Sequence, residues 1–442
     1  MPSLSSSEPA TGVSSVATRA APVSARAEPY TLVHVVVGET TKDLIIPQVI
    51  GHMIAQAETP GDDRPARVLV LFLEPARVAL RRALRRRVQE LRRVAPFLSV
   101  RLVPYVSRLG LTSNAGMVRR LLGVPRSAPL VLHCRGETAA QWAAAIAKHM
   151  PNAGIVVDVR GAWPEELIFA RGYDAIDGVD PQTRADHDAA IAALQEAFAR
   201  AGAVLSVSPG MMEWLGAMGV EESKRFYIPC CVSRLTYTTV DRDAMRASLG
   251  ILNKHVFAYA GTITRYQHVH DGVVPFVRAL TRLSPTTHFL CLTNDVDAMR
   301  AALSSGGVDA RRVTVLGVPQ NEVARYLSAA DAGLLLRAPS RLNRLSQPTK
   351  LAEYLAAGVP VVVARGTGAV GEIITDADAG IIVDIFGRDE SGITDEARRA
   401  LDVIARDGAR MRDNALRLCD EHFTWRRYVA RARAAYRMSL DA

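Results

Sequence analysis

One short stretch, residues 346–363, places a cation and a carboxylate on the same predicted helix. Ser346 is suited to cap the start of that helix and Gly358 to end it, and an apolar strand follows. Lys350 falls in the first turn, where free N–H groups and the helix dipole favour an anion. Glu353 lies one turn further on, where its carboxylate is able to accept two hydroxyls of a ribose. Together they indicate a nucleotide-diphosphate site; the alternative is an exposed Lys350–Glu353 ion pair without a ligand.

A second loop supports an anion site in the same half of the chain. Residues 261–267 follow a predicted strand and include Arg265, whose guanidinium is suited to clamp a diphosphate from the side opposite Lys350. The alternative is an arginine on an exposed loop. Both segments come directly after strands, and open α/β sheets bind ligands beyond the carboxyl ends of their strands.

A group of polar residues follows two predicted strands in the first half of the chain. The arginines of this group are suited to hold an anionic sugar or a phosphate. The glutamates are suited to bind sugar hydroxyls or to act as a base. For the histidine, a hydrogen-bonded position in the core is an open alternative. The group, which we expect to line the first domain's edge of a cleft, comprises His133, Arg135, Asp158, Arg160, Glu165 and Glu166.

Two other patterns are weaker. Residues 366–371 form a G-x-G-x-x-G run, which occurs in nicotinamide and flavin sites, but the helix behind it is predicted to be short. A glycine turn that lines a phosphate pocket, or a purely structural turn, fits that context better. His268 and His270 lie beside Asp271 without an evident further ligand, so we predict no metal site.

The alternation of apolar runs and amphipathic segments predicts two similar α/β domains in tandem, each a doubly wound parallel sheet, with a cleft between them. The predicted divisions are a disordered tail (1–29), a first domain (30–233), a connection (234–255), a second domain (256–421) and a final helical segment (422–442).

The composition excludes some classes of protein. The chain has 442 residues, a net charge of +9 and 49% apolar residues, which is ordinary for a globular protein and is not by itself a nucleic-acid signature. Its five cysteines have no metal-ligand spacing, which favours a reducing, cytoplasmic compartment. No apolar run reaches the roughly 18 residues that a bilayer span needs.

An arginine-rich segment is the main candidate for peripheral membrane contact. Residues 75–94 read as one amphipathic helix with Leu80, Leu84, Val88 and Leu91 on one side and arginines from Arg77 to Arg93 around the rest. Such a helix is able to lie on the anionic inner face of a cell membrane. The alternative, which the pattern favours, is a solvated outer helix whose leucine side meets the sheet.

Four stretches resemble the retaining glycosyltransferases of family four, whose architecture of two Rossmann-like domains is called GT-B. They are residues 348–362, 259–262, 228–232 and 158–166. Together they resemble the subgroup that assembles bacterial surface polysaccharides, and the likeness spans residues 30 to 440. The final helix is similar to the helix that crosses back to the first domain in GT-B proteins.

This resemblance implies transfer of a sugar from a nucleotide-diphosphate sugar to a glycan or lipid-linked acceptor, with retention at the anomeric carbon. It implies no metal or other cofactor, because basic side chains and helix dipoles stabilise the leaving diphosphate. Lys350 and Arg265 match the family's diphosphate-binding residues and are the catalytic candidates, and Glu353 matches the glutamate that holds the ribose. The implied donor site comprises Gly261, Thr262, Arg265, Pro348, Thr349, Lys350 and Glu353.

The sequence departs from the family at two positions. Leu345 stands eight residues before Glu353, where the family has a first glutamate, and Asn343 or backbone N–H groups near Gln347 are the candidates to replace it. Arg135 stands where a histidine is common, so no general base is identified.

Three other functions stay open at this point. They are a nucleotide-sugar epimerase of the same architecture, a non-catalytic protein that binds sugar nucleotides or polysaccharide, and a nicotinamide oxidoreductase that rests only on residues 366–371.

Overall fold

The computed structural model describes residues 28–106, 110–233 and 241–442. The tail predicted for residues 1–29 therefore lies outside the described residues, apart from Glu28 and Pro29. Residues 234–240 of the predicted connection lie outside them as well.

The first half of the chain forms a sheet of seven parallel strands in the order β3-β2-β1-β4-β5-β6-β7. The strands are β1 (Thr31–Val37), β2 (Arg67–Pro75), β3 (Ser99–Tyr105), β4 (Leu130–Arg135), β5 (Ala153–Val159), β6 (Ala203–Ser206) and β7 (Arg225–Tyr227). The helices are α1 (Gly51–Glu58), which follows a π-helical turn at Ile46–Ile50, α2 (Ala76–Ala79), α3 (Arg82–Val94), α4 (Leu111–Leu122), α5 (Gly136–Ala147), α6 (Trp163–Ala170), α7 (Pro181–Ala199) and α8 (Pro209–Ala217). A 3₁₀ turn at Glu222–Lys224 precedes β7.

The second half forms a sheet of six parallel strands in the order β10-β9-β8-β11-β12-β13. The strands are β8 (His255–Ala260), β9 (Thr287–Leu292), β10 (Val313–Leu316), β11 (Ala332–Leu335), β12 (Val361–Ala364) and β13 (Gly380–Val383). The helices are α9 (Arg242–Ser248), α10 (Val274–Leu283), α11 (Val296–Ser305), α12 (Gln320–Leu327), α13 (Arg341–Leu345), α14 (Thr349–Ala356), α15 (Val370–Asp376), α16 (Glu390–His422) and α17 (Trp425–Asp441). Tighter or wider turns lie at Arg265–Gln267, Val269–Val273 and Ala310–Arg312.

Both sheets have the doubly wound topology that the sequence predicts, with helices on both faces. Strand order reverses between β1 and β4 in the first sheet and between β8 and β11 in the second. Loops on the two sides of such a reversal diverge and leave a crevice beyond the carboxyl ends of the strands. The fold therefore creates a potential ligand site at the same edge of each sheet.

The last helix, α17, packs on the first sheet rather than on the second. Its Trp425, Tyr428 and Tyr436 join a buried apolar cluster with residues of α1, α3 and β1. The buried guanidinium of Arg433 donates hydrogen bonds to the backbone carbonyls of Gln56 and Thr59 at the end of α1. The chain thus crosses between the halves a second time, and Val232 pairs with Thr424 where the two crossing segments meet.

Several local features differ from the sequence predictions. The arginine-rich helix predicted for residues 75–94 is broken, because Arg81 has an extended backbone between α2 and α3. Leu84, Val88 and Leu91 are buried as predicted, but Leu80 is 64% exposed. The sequence does not predict strands β3 and β13 or helices α4, α6, α13 and α16. The edge strand β3 contains Pro104, which is tolerated there because one side of an edge strand has no partner.

Candidate functional site

A cleft of about 920 Å³ lies between the carboxyl edges of the two sheets. Loops after β1, β4 and β5 form one wall, and loops after β8, β9, β10 and β11, together with the start of α14, form the other. Of the donor-site residues suggested by the resemblance, Gly261, Thr262, Pro348, Thr349, Lys350 and Glu353 line the cleft. The crevices of the two sheets thus face each other across one cavity.

Two buried cations share a single amide oxygen on the second wall. Gln267 Oε1 accepts a hydrogen bond from Lys350 Nζ at 2.8 Å and from Arg337 Nη2 at 3.2 Å. Lys350 and Arg337 are 6% and 5% exposed, and within the described residues neither forms an ion pair with a carboxylate. Burial, together with the neighbouring Arg337, holds the pKa of Lys350 well below its usual range. The site is therefore short of negative charge, as a binding site for an anion would be.

The first turn of α14 and the loop after β8 position Lys350. Its ammonium lies 4.2 Å from the centre of the Tyr259 ring, which favours a cation at that point. Gly261 is needed there, because it has a φ of 144° and a Cβ at this residue would come within 2.8 Å of Lys350 Nζ. The predicted cap is wrong: Ser346 ends α13, and Pro348 occupies the cap position of α14.

Glu353 lies one turn along α14 and is held by a residue that the sequence did not single out. Gln320 Nε2 donates a hydrogen bond of 2.9 Å to Glu353 Oε1. Both residues line the cleft. The pKa of Glu353 is raised, because the effect of burial exceeds those of the bond from Gln320 and the charge of Lys350, which both lower it. An oriented carboxylate beside two cations is the arrangement that phosphate and diol binding require.

Arg265 lies elsewhere than expected. Its guanidinium stacks 4.3 Å from the centre of the Phe169 ring, and it donates to the carbonyl oxygen of Phe169 at 3.0 Å and to Asp174 Oδ1 at 2.8 Å. These contacts attach the second half of the chain to the end of α6 in the first. Arg265 does not line the cleft, and the second cation of the site is Arg337, which lies beside Lys350 and not on the opposite side, where Arg265 was predicted.

The polar group predicted for the first wall separates into two sets. Arg135, Arg160 and Glu166 line the cleft. The other three residues, His133, Asp158 and Glu165, are buried behind it, so the expectation that they line the cleft is wrong. Asp158 accepts a 2.7 Å bond from Arg160, and Glu165 pairs with Arg341 of the second half. These carboxylates position cations instead of contacting a ligand.

His133 belongs to a buried cluster with His34 and His52. His34 and His133 are partners in the register of β1 and β4, and their rings stack at 4.2 Å. His133 donates from Nε2 to Asp158 at 3.1 Å and accepts at Nδ1 from the Tyr436 hydroxyl at 2.9 Å. With both nitrogens of His133 engaged, only two imidazoles of this cluster have unpartnered nitrogens. That is fewer than the three or four ligands that protein-bound transition metals use.

The position of the missing glutamate has a structural role. The Leu345 side chain packs in the core cluster of the first half, and its carbonyl oxygen accepts a 2.6 Å bond from the Ser208 hydroxyl. The sequence suggested Asn343 or backbone N–H groups near Gln347 as substitutes, not the Gln347 side chain, and Asn343 does not line the cleft. Gln347 does, and its Oε1 accepts from the backbone of Cys230 while its Nε2 has no partner within the described residues. Gln347 is thus the better candidate for contact with a sugar.

The glycines of residues 366–371 serve close packing. A Cβ at Gly366 would meet Pro339 at 2.5 Å, and Gly368 faces backbone oxygens of α13. None of these glycines lines the cleft. A dinucleotide site at this turn therefore has no support in the structure.

Two family models match the sequence and together span most of the chain. Residues 54–231 match a model described as a glycosyl transferase 4-like domain, and residues 254–402 match one described as glycosyl transferases group 1. Both halves of the chain thus belong to glycosyltransferase families. No curated protein matches the sequence of this glycosyltransferase.

Solved structures agree on the architecture of this glycosyltransferase, which is GT-B. Anabaena Alr3699/HepE in complex with UDP-glucose is 14% identical, with a TM-score of 0.63 over 92% of this chain and 99% of the other. Sucrose-phosphate synthase from Thermosynechococcus elongatus is 15% identical, with a TM-score of 0.62 over 92% and 98%. A glycosyltransferase from Rickettsia africae is 14% identical, with a TM-score of 0.60 over 94% and 99%.

In the described part of the chain, every helix is too short or too polar to cross a bilayer.

The histidine cluster predicts a loss of stability in mild acid. Burial, followed by repulsion from neighbouring imidazoles, holds the pKa values of His34 and His52 well below their usual range. Below about pH 6.5 the unfolded chain therefore binds protons that the folded chain does not, and the free energy of unfolding decreases as the pH falls. The limiting slope is about 1.4 kcal/mol per pH unit for each histidine.

Urea unfolding of the full chain between pH 8 and pH 5 measures this slope. His52→Gln is expected to reduce it by about a third, because His34 and His288, whose pKa burial lowers to about 4, still contribute. Exposed His422→Gln is expected to leave it unchanged. Asp158 does not interfere, because its lowered pKa affects stability only below about pH 4. Stability that is constant from pH 8 to pH 5 would contradict the prediction.

Proposed function

We propose that this glycosyltransferase transfers a sugar from a nucleotide-diphosphate donor, with retention at the anomeric carbon, to a glycan or lipid-linked acceptor in cell-surface polysaccharide assembly. The observation that carries the donor assignment is the pair of buried cations, Lys350 and Arg337, which share the oxygen of Gln267. Fold neighbours in complex with UDP and with UDP-glucose support a donor of this class.

Electrostatics explain why a diphosphate suits this site. Two buried cations with a single carboxylate, Glu353, nearby are costly, and an anion that carries two or more charges offsets that cost when it binds. The N-terminal N–H groups of α14 add to the attraction. In this proposal Glu353, one turn away and oriented by Gln320, accepts the hydroxyls of the ribose.

The same groups account for catalysis. As the bond between the anomeric carbon and the diphosphate breaks, negative charge grows on the leaving oxygen. Lys350 and Arg337 stabilise that charge in a site from which water is largely excluded. In a front-face reaction the leaving phosphate itself takes the proton of the acceptor hydroxyl, so retention requires no separate base. This is consistent with Arg135 in place of the histidine that is common at that position.

The arginine-rich edge of the first half supports an acceptor that is presented at a membrane. Beside exposed Leu80 and Phe97, the outer side of α3 exposes a row of arginines. Such a surface is attracted to anionic lipid headgroups. It would hold the protein at the inner face of a cell membrane, in keeping with the cytoplasmic compartment that the sequence favours.

Donor binding tests the central assignment. Lys350→Met and Arg337→Met should each weaken binding of the preferred nucleotide among UDP, GDP and ADP by roughly 30-fold, because each removes a charged contact worth about 2 kcal/mol. Titration calorimetry measures the affinities. Arg265→Met is the matched control, and we expect it to retain affinity because Arg265 faces α6. Equal losses in all three variants would contradict the assignment of Arg337.

The stereochemistry of the product tests the reaction. With the preferred nucleotide sugar and an accepted glycan, NMR of the product should give the same anomeric configuration as the donor. Inversion would exclude the retaining mechanism. Release of an epimerised sugar in the absence of acceptor would instead favour the epimerase alternative.

Vesicle sedimentation tests membrane contact. The protein should bind phosphatidylglycerol vesicles, and the triple variant R82Q/R85Q/R86Q should bind at least about tenfold more weakly, since each arginine near the surface contributes about 1 kcal/mol. High salt should weaken binding as well. The control R398Q/R406Q/R417Q removes three exposed arginines of α16. If both triple variants lose binding equally, the contact is not specific to α3.

A further inference from the structure

The two walls of the cleft differ in charge. The charged residues that line the second wall are Lys350, Arg337 and Glu353. The first wall contributes more carboxylates than cations. Its charged lining residues are Glu39, Asp43, Glu137 and Glu166 against Lys42, Arg135 and Arg160. The anion site is therefore confined to one side of the cavity.

The cations of the first wall already have partners. Glu39 accepts a hydrogen bond from Arg135 Nε at 2.8 Å and pairs with Lys42 as well. Asp158 pairs with Arg160 at 2.7 Å. The expectation that Arg135 and Arg160 hold an anionic sugar or a phosphate is thus not supported. Each guanidinium keeps one nitrogen, Arg135 Nη1 and Arg160 Nη2, that has no hydrogen-bond partner within the described residues. A donor on an already paired cation suits a neutral oxygen acceptor.

Within the described residues, neither Glu137 nor Glu166 forms an ion pair with a lysine or an arginine. Enclosure in the cleft and the nearby charges of Glu137 and Glu39 raise the pKa of Glu166. The Glu166 carboxylate lies against Gly161, where a Cβ would come within 2.2 Å of Glu166 Oε1. An anionic ligand placed here would meet repulsion, whereas hydroxyl groups would find acceptors.

Trp163 supplies an apolar surface beside these carboxylates. It is the first residue of α6, is 46% exposed and lines the cleft. A broad ring open to a polar cavity is able to stack on the C–H face of a sugar, while the sugar's hydroxyls point to the side. Trp163, Glu137, Glu166 and Arg160 thus present a stacking surface, acceptors and a donor to the same space.

We propose that the first wall binds the acceptor as an uncharged sugar ring, stacked on Trp163 and donating hydroxyl hydrogens to Glu137 and Glu166. This assignment rests on the proposed function, because it identifies the acceptor class for the same cleft. It makes a terminal neutral sugar, rather than a phosphate or a uronic acid, the group that receives the transferred sugar.

Saturation-transfer NMR on the full chain with UDP present tests the assignment. The probes are the methyl glycosides of glucose, galactose, mannose and N-acetylglucosamine, compared with glucose 6-phosphate and glucuronic acid. We expect saturation transfer to at least one neutral glycoside and several-fold less to both anions. Stronger transfer to an anion, or none to any neutral glycoside, would overturn the proposal.

Variants locate the binding site. Trp163→Ala is expected to abolish transfer to the neutral glycoside, and Glu137→Gln and Glu166→Gln to weaken its binding by roughly tenfold each. Glu213→Gln, which removes an exposed carboxylate outside the cleft, should have no effect. Unchanged transfer in Trp163→Ala would place the sugar elsewhere and overturn the proposal.

Calorimetry with UDP, GDP and ADP separates the two proposals. Trp163→Ala should retain the wild-type response to the preferred nucleotide, which also verifies that the variant is folded. Sugar binding that depends on Trp163 in a protein that binds no nucleotide would refute the donor assignment but leave the sugar site standing. Nucleotide binding without sugar binding would refute the sugar site but leave the donor assignment standing.

Discussion

The cleft depends on one hydrogen-bond acceptor, the amide oxygen of Gln267, which holds two buried cations in place. Arg337 follows β11 and Lys350 lies in the first turn of α14, both within the connection between β11 and β12. Without a shared acceptor their charges would repel each other. A neutral amide reduces this repulsion without cancelling the charge, which a carboxylate at residue 267 would do. The site therefore keeps its attraction for an anion while remaining ordered in the absence of one.

Contacts between the halves of the chain hold the two walls of the cleft in register. Leu345 packs into the core of the first half, Gln347 binds the backbone of Cys230, and Arg265 caps the end of α6. Leu345 and Gln347 lie just before the start of α14. The segment that leads into Lys350 and Glu353 is therefore also part of the interface between the two halves of the chain. Any change in the angle between the domains therefore shifts the anion site relative to the first wall.

The sequence predicts most of both sheets, because a parallel strand buried on both faces reads as a continuous apolar run. It does not predict β3, whose edge position permits Arg101 and Pro104 within the strand. The sequence predicts that Lys350 and Glu353 share one site, because their spacing places them one turn apart on the same helix, and both line the cleft. Arg337 and Gln320 were not predicted, because each acts through a residue far away in the chain. One signal for Arg337 was available: like Arg135 and Arg160, it comes at the end of a buried strand.

The distribution of charge in the cleft connects the two parts of the proposed reaction. A cationic wall favours departure of a diphosphate, and it would equally attract a phosphate at the acceptor position if the field extended across the cavity. Pairing of Arg135 with Glu39 and of Arg160 with Asp158 limits that field. The attacking group then meets a wall that orients hydroxyls, and the strongest anion site remains reserved for the leaving group. In this arrangement the same electrostatic asymmetry that stabilises the departing charge also keeps donor and acceptor from exchanging places.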